Sequence, residues 1–245
     1  MDTPLKTTLG RIRRADQDFH MIDPGDTIAI GLSGGKDSLL LTYGLSLYRR
    51  IRKDFTLKAI MLTMGAEPPD TSAVEAFCEE QQIPLTVRYT DLYQILFELR
   101  SDRSPCPLCA KMRRAMLCDM SKELGCNKLA LAHHREDALE TFLMSLLYEG
   151  RIHTFHPKTY MSRTGITVIR PMVYMPEKEV IHMKKQLELP VLHNPCPANG
   201  NTKRQEMKEL LQELSKRYPH IEETMLSALQ NDDQYSLWEK SGPRS

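Results

Sequence analysis

Two clusters of residues in this chain have the types and spacing that chemistry needs. The first is Ser33-Gly34-Gly35-Lys36-Asp37-Ser38, which follows the short apolar run from Thr27 to Leu32 and opens a stretch of helical periodicity. Adjacent glycines let a backbone approach a ligand closely and point its amides at anionic oxygens, and a helix favours negative charge at its amino terminus. Lys36 supplies a counter-charge and Ser33 and Ser38 supply hydroxyl donors, so the hexapeptide reads as a phosphate cradle. It is not a Walker loop, which would need glycine where Ile30 stands and Ser or Thr where Asp37 stands.

The second cluster is made of cysteines. Cys106-Pro107-Leu108-Cys109 opens a helical segment, and Cys196 lies far downstream in the proline-stiffened Asn194-Pro195-Cys196-Pro197. A single CxxC is compatible with half of a zinc site, a redox pair or iron–sulfur ligation. Structural zinc wants four protein ligands, and only His193 stands beside Cys196 as a fourth; three cysteines suit a cubane cluster with one iron left open. The residues alone leave these readings open. Cys78, Cys118 and Cys126 sit in helical or strand-adjacent settings and are read as packing thiols.

The elements that must position these groups follow from periodicity. Strands are expected at Thr27 to Leu32, Leu57 to Thr63, Leu85 to Tyr89, Lys128 to Ala132 and Thr167 to Arg170. Helices are expected at Leu9 to Phe19, Lys36 to Arg52, Thr71 to Gln82 with Asp70 or Thr71 as cap, Cys106 to Leu124, Glu136 to Tyr148 and Glu177 to Glu188. Two more, Arg204 to Arg217 and Ile221 to Leu229, form a tail. The alternation predicts an α/β fold, a parallel twisted sheet with helices on both faces. Residues 1–24 form a helical lead-in, 25–200 the sheet domain and 201–245 the helical tail.

Composition narrows the setting. The formal net charge of +1 neither announces nor excludes a nucleic-acid partner. The basic runs Arg11-Ile12-Arg13-Arg14 and Arg49-Arg50-Ile51-Arg52-Lys53 read first as solvated helix faces. No apolar stretch approaches the ~20 residues of a membrane span, and the amino terminus lacks a signal-peptide core, so a cytoplasmic protein without membrane contact is expected. Six cysteines in such a chain are not a disulfide framework.

The hexapeptide Ser33 to Ser38 resembles the PP-loop motif of ATP-pyrophosphatases, which cleave ATP between the α and β phosphates. Ala132-His133-His134-Arg135-Glu136-Asp137 resembles that family's Gly-His-His/Asn-x-Asp-Asp segment, with Ala132 in place of glycine and Glu136 in place of the first aspartate. The resemblance implies ATP binding by Ser33 to Ser38, Leu62, Ala132 and Asp137, with Asp37 holding Mg²⁺ or orienting the phosphates. Asp137 is the stronger acidic candidate; His133 and His134, taken alone, read as structural histidines.

Further motifs narrow the family. Leu9-Gly10-Arg11-Ile12-Arg13-Arg14, the CxxC followed by Arg113-Arg114, Leu139-Glu140-Thr141, Ile169-Arg170-Pro171-Met172 and Glu177-Lys178-Glu179 resemble the tRNA 2-thiocytidine synthetases. By that resemblance Cys106, Cys109 and Cys196 hold a [4Fe–4S] cluster, and the enzyme adenylates and thiolates C2 of an anticodon-loop cytidine (position 32) of tRNA. Arg113, one turn after Cys109, takes the place of a catalytic lysine in the 2-thiouridine synthases, and the catalytic set is Asp37, Arg113 and Asp137. Implied partners are tRNA and a cysteine desulfurase or another sulfur donor, with a homodimer open. The alternatives are a 2-thiouridine synthase-like thiolase and a PP-loop ligase or amidating enzyme.

Overall fold

The fold is described from a computed structural model, which describes residues 3–63, 69–92, 94, 106–192 and 202–231. A first helix, α1 (Thr3–Phe19), leads into β1 (Thr27–Gly31), α2 (Lys36–Arg52), β2 (Thr56–Leu62), α3 (Ser72–Glu80) and β3 (Leu85–Arg88). Then come α4 (Cys106–Glu123), β4 (Lys128–Ala130), α5 (Arg135–Glu149), β5 (Lys158–Met161), β6 (Ile166–Ile169), α6 (Glu177–Gln186), α7 (Lys203–Arg217) and α8 (Ile221–Gln230).

The six strands form one sheet in the order β3-β2-β1-β4-β6-β5, parallel throughout except for β5. Side chains alternate across a strand, so each strand feeds two cores. One face of β1, β2, β4 and β6, with Ala29, Ile60, Leu62, Leu129, Ile166 and Val168, packs on Leu117, Cys118 and Met120 of α4. The opposite face is covered by α2, against which α1 and α6 pack. The α1–α2 approach is close: a Cβ on Gly44 would lie 2.5 Å from Ile12 Cδ1. Burial on both faces explains why β1 reads as an unbroken apolar run instead of an alternating one.

Chain order gives the sheet its functional edge. From β1 the chain adds β2 and β3 on one side, then returns through α4 to place β4 on the other side of β1. The strand order reverses between β1 and β4, and in open α/β sheets ligands bind at such a switch point, beyond the carboxyl ends of the strands.

The expected strands and helices are present within a few residues of their predicted bounds, and the parallel sheet carries one further, antiparallel edge strand. β5 was not expected from the sequence, and it pairs antiparallel with β6, Tyr160 opposite Thr167. Its sequence, Lys-Thr-Tyr-Met, carries no run of apolar residues, and Tyr160 is 66% exposed. An edge strand of this kind is held by backbone pairing across the turn, a cause that hydrophobic periodicity does not register. The expected cap of α3 is also refined: Asp70 Oδ1 accepts the Ser72 N–H at 3.0 Å, whereas the Thr71 hydroxyl turns to Glu75.

By packing, the chain divides into two units, Met1–Ala138 with Phe155–Thr202, and Leu139–Thr154 with Lys203–Ser245. The second has its own small core of Leu139, Leu143, Met207 and Leu211, and Arg204 pairs with Glu140 at 3.2 Å. No described helix is long and apolar enough to cross a membrane.

Candidate active site

The phosphate loop leaves β1 at Gly31, where Leu32 still donates its N–H to Ile60 O at 2.8 Å. Ser38 then ties the loop into a closed turn. Its Oγ accepts the Ser33 N–H at 3.1 Å, donates to Gly35 O at 3.0 Å and lies 3.1 Å from Ser33 Oγ. Gly34 sits at φ +76°, and a Cβ there would fall 2.9 Å from Leu192 Cδ1, so both backbone and space demand glycine. Leu192 returns the contact by donating its N–H to Gly34 O at 2.9 Å. No side chain caps the amino terminus of α2, which leaves its first amides to a ligand.

Charges crowd around this turn. Lys36 Nζ lies 2.9 Å from Asp37 Oδ1 and 3.2 Å from Glu177 Oε1. Burial opposes its charge, but the two carboxylates outweigh burial and hold the ammonium above its ordinary pKa. His134 stands among three carboxylates, with Nδ1 3.2 Å from Glu136 Oε2 and Nε2 3.6 Å from Asp137 and 3.8 Å from Asp37. Burial disfavours the imidazolium, yet Glu136, Asp137 and Asp37 together push its pKa up to about 9. Glu136 moves the other way: burial raises its pKa, but His134 and Arg135 bring it down to about 2. The Nδ1 approach to Glu136 is an ion pair and not an aligned hydrogen bond. Asp137 also accepts the His134 N–H at 2.9 Å, which fixes the turn from β4 into α5.

Between these turns lies a cavity of about 220 Å³ lined by Gly31, Leu32, Ser33, Asp37 and Ser38 from the loop, by Leu62 from β2, by Leu131, Ala132 and His133 after β4, and by Arg113 and Leu117 from α4. Six of the predicted site residues, Ser33, Asp37, Ser38, Leu62, Arg113 and Ala132, thus share one wall. Volume alone would have pointed elsewhere. A larger hollow of about 530 Å³ lies beside α1, but its ionic groups satisfy one another: Asp16 accepts from Tyr48 at 2.7 Å and from Arg52 at 2.9 Å.

The phosphate-loop sequence agrees with what comparison with known proteins finds. The PP-loop domain family matches residues 7–214. A relative from Pelobacter propionicus called tRNA-cytidine(32) 2-sulfurtransferase is 39% identical over 90% of this chain and 83% of its own length. Another of that name, from Coxiella burnetii, is 34% identical over 92% of this chain and 90% of its own. The chain is a PP-loop protein of the tRNA 2-thiocytidine synthetase family. It is therefore an enzyme with an ATP-pyrophosphatase type of domain. Among solved structures, the U34-tRNA thiolase NcsA of Methanococcus maripaludis with its [4Fe-4S] cluster superposes with a TM-score of 0.76 at 26% identity, over 97% of this chain and 81% of that one.

For a 2-thiocytidine synthetase-family chain the cysteines sort cleanly. Cys106, exposed, and Cys109, half-buried, occupy the first turn of α4. The donor chemistry fits a thiolate-held iron–sulfur group. Cys78, Cys118 and Cys126 are buried, and burial pushes each thiol up, Cys78 to about 11, so they are packed and protonated. Cys196 and His193 lie outside the described residues.

Two further family motifs acquire partners only in the fold. Glu179 of α6 receives a bidentate Arg11, both bonds 2.6 Å, which fastens α1 to α6, while Glu177 reaches Lys36. Glu136 accepts the Glu177 N–H at 2.8 Å and so holds the start of α6 against the site. Sequence reasoning missed Glu177 as a site residue; the signal was the motif itself, 141 positions downstream of Lys36. The basic runs are solvated in part, with Arg13, Arg14, Arg50 and Lys53 exposed, and structural in part: Arg49 donates to Gln81 O and Gln82 O, and Arg52 to Asp16 and Asp54.

Proposed function

We propose that this protein is an ATP-dependent sulfurtransferase that thiolates C2 of cytidine 32 in tRNA. One observation carries the reading. Helix α4 bears the Cys106–Cys109 pair at its start and, one and two turns later, Arg113 and Leu117 in the wall of the cavity that the phosphate loop borders. Nucleotide chemistry and thiolate chemistry therefore meet on one rigid element. The names carried by relatives 34–39% identical supply the nucleoside.

The loop amides and Lys36 bind the ATP phosphates, Lys36 turning from its carboxylate partners to do so. Asp37 and Asp137 then offer oxygens to Mg²⁺. Magnesium usually takes one or two carboxylates together with substrate phosphates, which suits two aspartates beside the phosphate loop. The C2 carbonyl oxygen of cytidine attacks the α phosphorus, pyrophosphate leaves, and C2 now carries AMP as a leaving group. A sulfide equivalent adds to C2 and AMP departs, leaving the C2=S bond. Arg113 stabilises the phosphate charge that develops; a guanidinium does not serve as a base. Cys106, Cys109 and Cys196 would hold a [4Fe–4S] cluster, which supplies an open iron to carry the sulfur. A cysteine desulfurase or another donor delivers that sulfur, and the protein works on tRNA in the cytoplasm.

The test is a reaction of anaerobically reconstituted protein with tRNA, ATP and sulfide, followed by mass analysis of the nucleosides. The expected products are 2-thiocytidine, AMP and pyrophosphate. Thiouridine in its place would favour the second reading, which the likeness to the U34-tRNA thiolase supports. ADP and phosphate would overturn the reading of the loop, and tightly bound zinc without iron would overturn the cluster.

A further inference from the structure

Arg170, at the carboxyl end of β6, is only 4% exposed, and no described carboxylate pairs with it. A buried cation without a counter-charge is costly, so its contacts must compensate. They converge on one short segment. Its N–H donates to Pro157 O at 2.9 Å, its Nη1 donates to His156 O at 2.7 Å, and its guanidinium lies 4.8 Å above the ring centroid of Phe155. One residue thus fastens three successive residues just ahead of β5. Burial and the neighbouring Arg114 lower its pKa to about 10, which leaves it a cation at neutral pH.

Phe155 faces the other way onto the site: its ring centroid is 4.9 Å from that of His133, tilted by 46°. His133 lines the cavity with the phosphate loop. We propose that Arg170 is a positioning residue which, through Phe155, sets the plane of the His133 ring in the wall of the nucleotide cavity. The buried guanidinium attracts the face of the half-buried Phe155 ring. Phe155 in turn leaves His133 one stable tilt, so the cavity wall is formed before ATP arrives. This rests on the ATP reading of the cavity for its consequence, but the ring geometry is independent of it.

The experiment uses the full-length protein labelled at histidine nitrogen, with Arg170→Gln, Phe155→Leu and Phe155→Tyr, and ATP as the probe. In the native protein the His133 ring protons are displaced by the ring current of Phe155. Phe155→Leu and Arg170→Gln both remove that displacement and weaken ATP binding by about tenfold, equivalent to about 1.4 kcal/mol. Phe155→Tyr keeps the ring and preserves both signals. Because Phe155 is only half-buried, its variants report even if Arg170→Gln fails to fold. Unchanged His133 resonances in folded Arg170→Gln, or ATP affinity lost equally in Phe155→Tyr and Phe155→Leu, would overturn the proposal. A native protein that does not bind ATP while the His133 resonances respond as expected would instead overturn the ATP reading alone.

Discussion

Lys36 is held between Asp37 and Glu177, so ATP must compete with two carboxylates for one ammonium. Lys36→Ala should abolish release of AMP and pyrophosphate while leaving iron content unchanged, since the loop and the cysteines belong to different elements. Glu177→Gln removes one competitor from a partly exposed pair, worth about 0.2–1 kcal/mol, so the KM for ATP should fall by up to about fivefold with kcat little altered. A rise in KM would mean that Glu177 instead aims Lys36 at the phosphates. His134 gives a pH prediction. Its pKa is raised from 6.5 to about 9, so the stability contributed by the imidazolium is complete below about pH 6.5 and is lost as pH rises through 9. The stability gap between native protein and His134→Gln, measured by denaturant titration, should therefore be widest near pH 6, narrow between about pH 6.5 and 9 and be smallest above that. A gap that grows with pH would show that His134 is buried neutral.

At the scale of elements, the turn between β1 and α2 is shaped by a backbone that only glycine accepts. Gly34→Ala meets Leu192 at 2.9 Å in a left-handed conformation and should cost about 1–3 kcal/mol, with ATP affinity falling as well. Gly10→Ala, inside α1 with nothing within 4 Å of the added carbon, should be neutral or stabilise by about 0.5–1 kcal/mol. Thermal melts of the two variants separate loop geometry from general glycine loss. Equal effects would show that the loop conformation does not demand glycine at position 34.

At the scale of the whole molecule, the proposed cluster draws on cysteines far apart in sequence. Cys106→Ala, Cys109→Ala and Cys196→Ala should each lose iron and thiolated product together, because two thiolates do not hold a cubane against exchange. Cys118→Ala and Cys126→Ala remove buried sulfurs, 1% and 5% exposed, and should keep iron while losing on the order of 1 kcal/mol of stability. Iron analysis beside nucleoside analysis reads both. Full iron without product in Cys196→Ala would favour a persulfide on that residue over cluster ligation.

The sequence by itself determined the elements whose causes are local. Buried parallel strands and amphipathic helices announce themselves by apolar pattern, and the phosphate loop by glycines that a tight, ligand-facing turn requires. It also determined the family, because Ser33 to Ser38, the CxxC and the scattered short motifs occur jointly. Tertiary structure alone decided which distant residues meet. Glu177 reaches Lys36 and Glu179 reaches Arg11 because α6 packs beside α2 and α1, and no local propensity encodes that. The same holds for β5, an edge strand specified by its pairing with β6, and for Phe155 and Arg170, which the fold alone stacks one on the other beside His133. Periodicity reports how a segment meets its own immediate environment; the charges and rings that complete the site depend on long-range packing, which only the folded chain supplies.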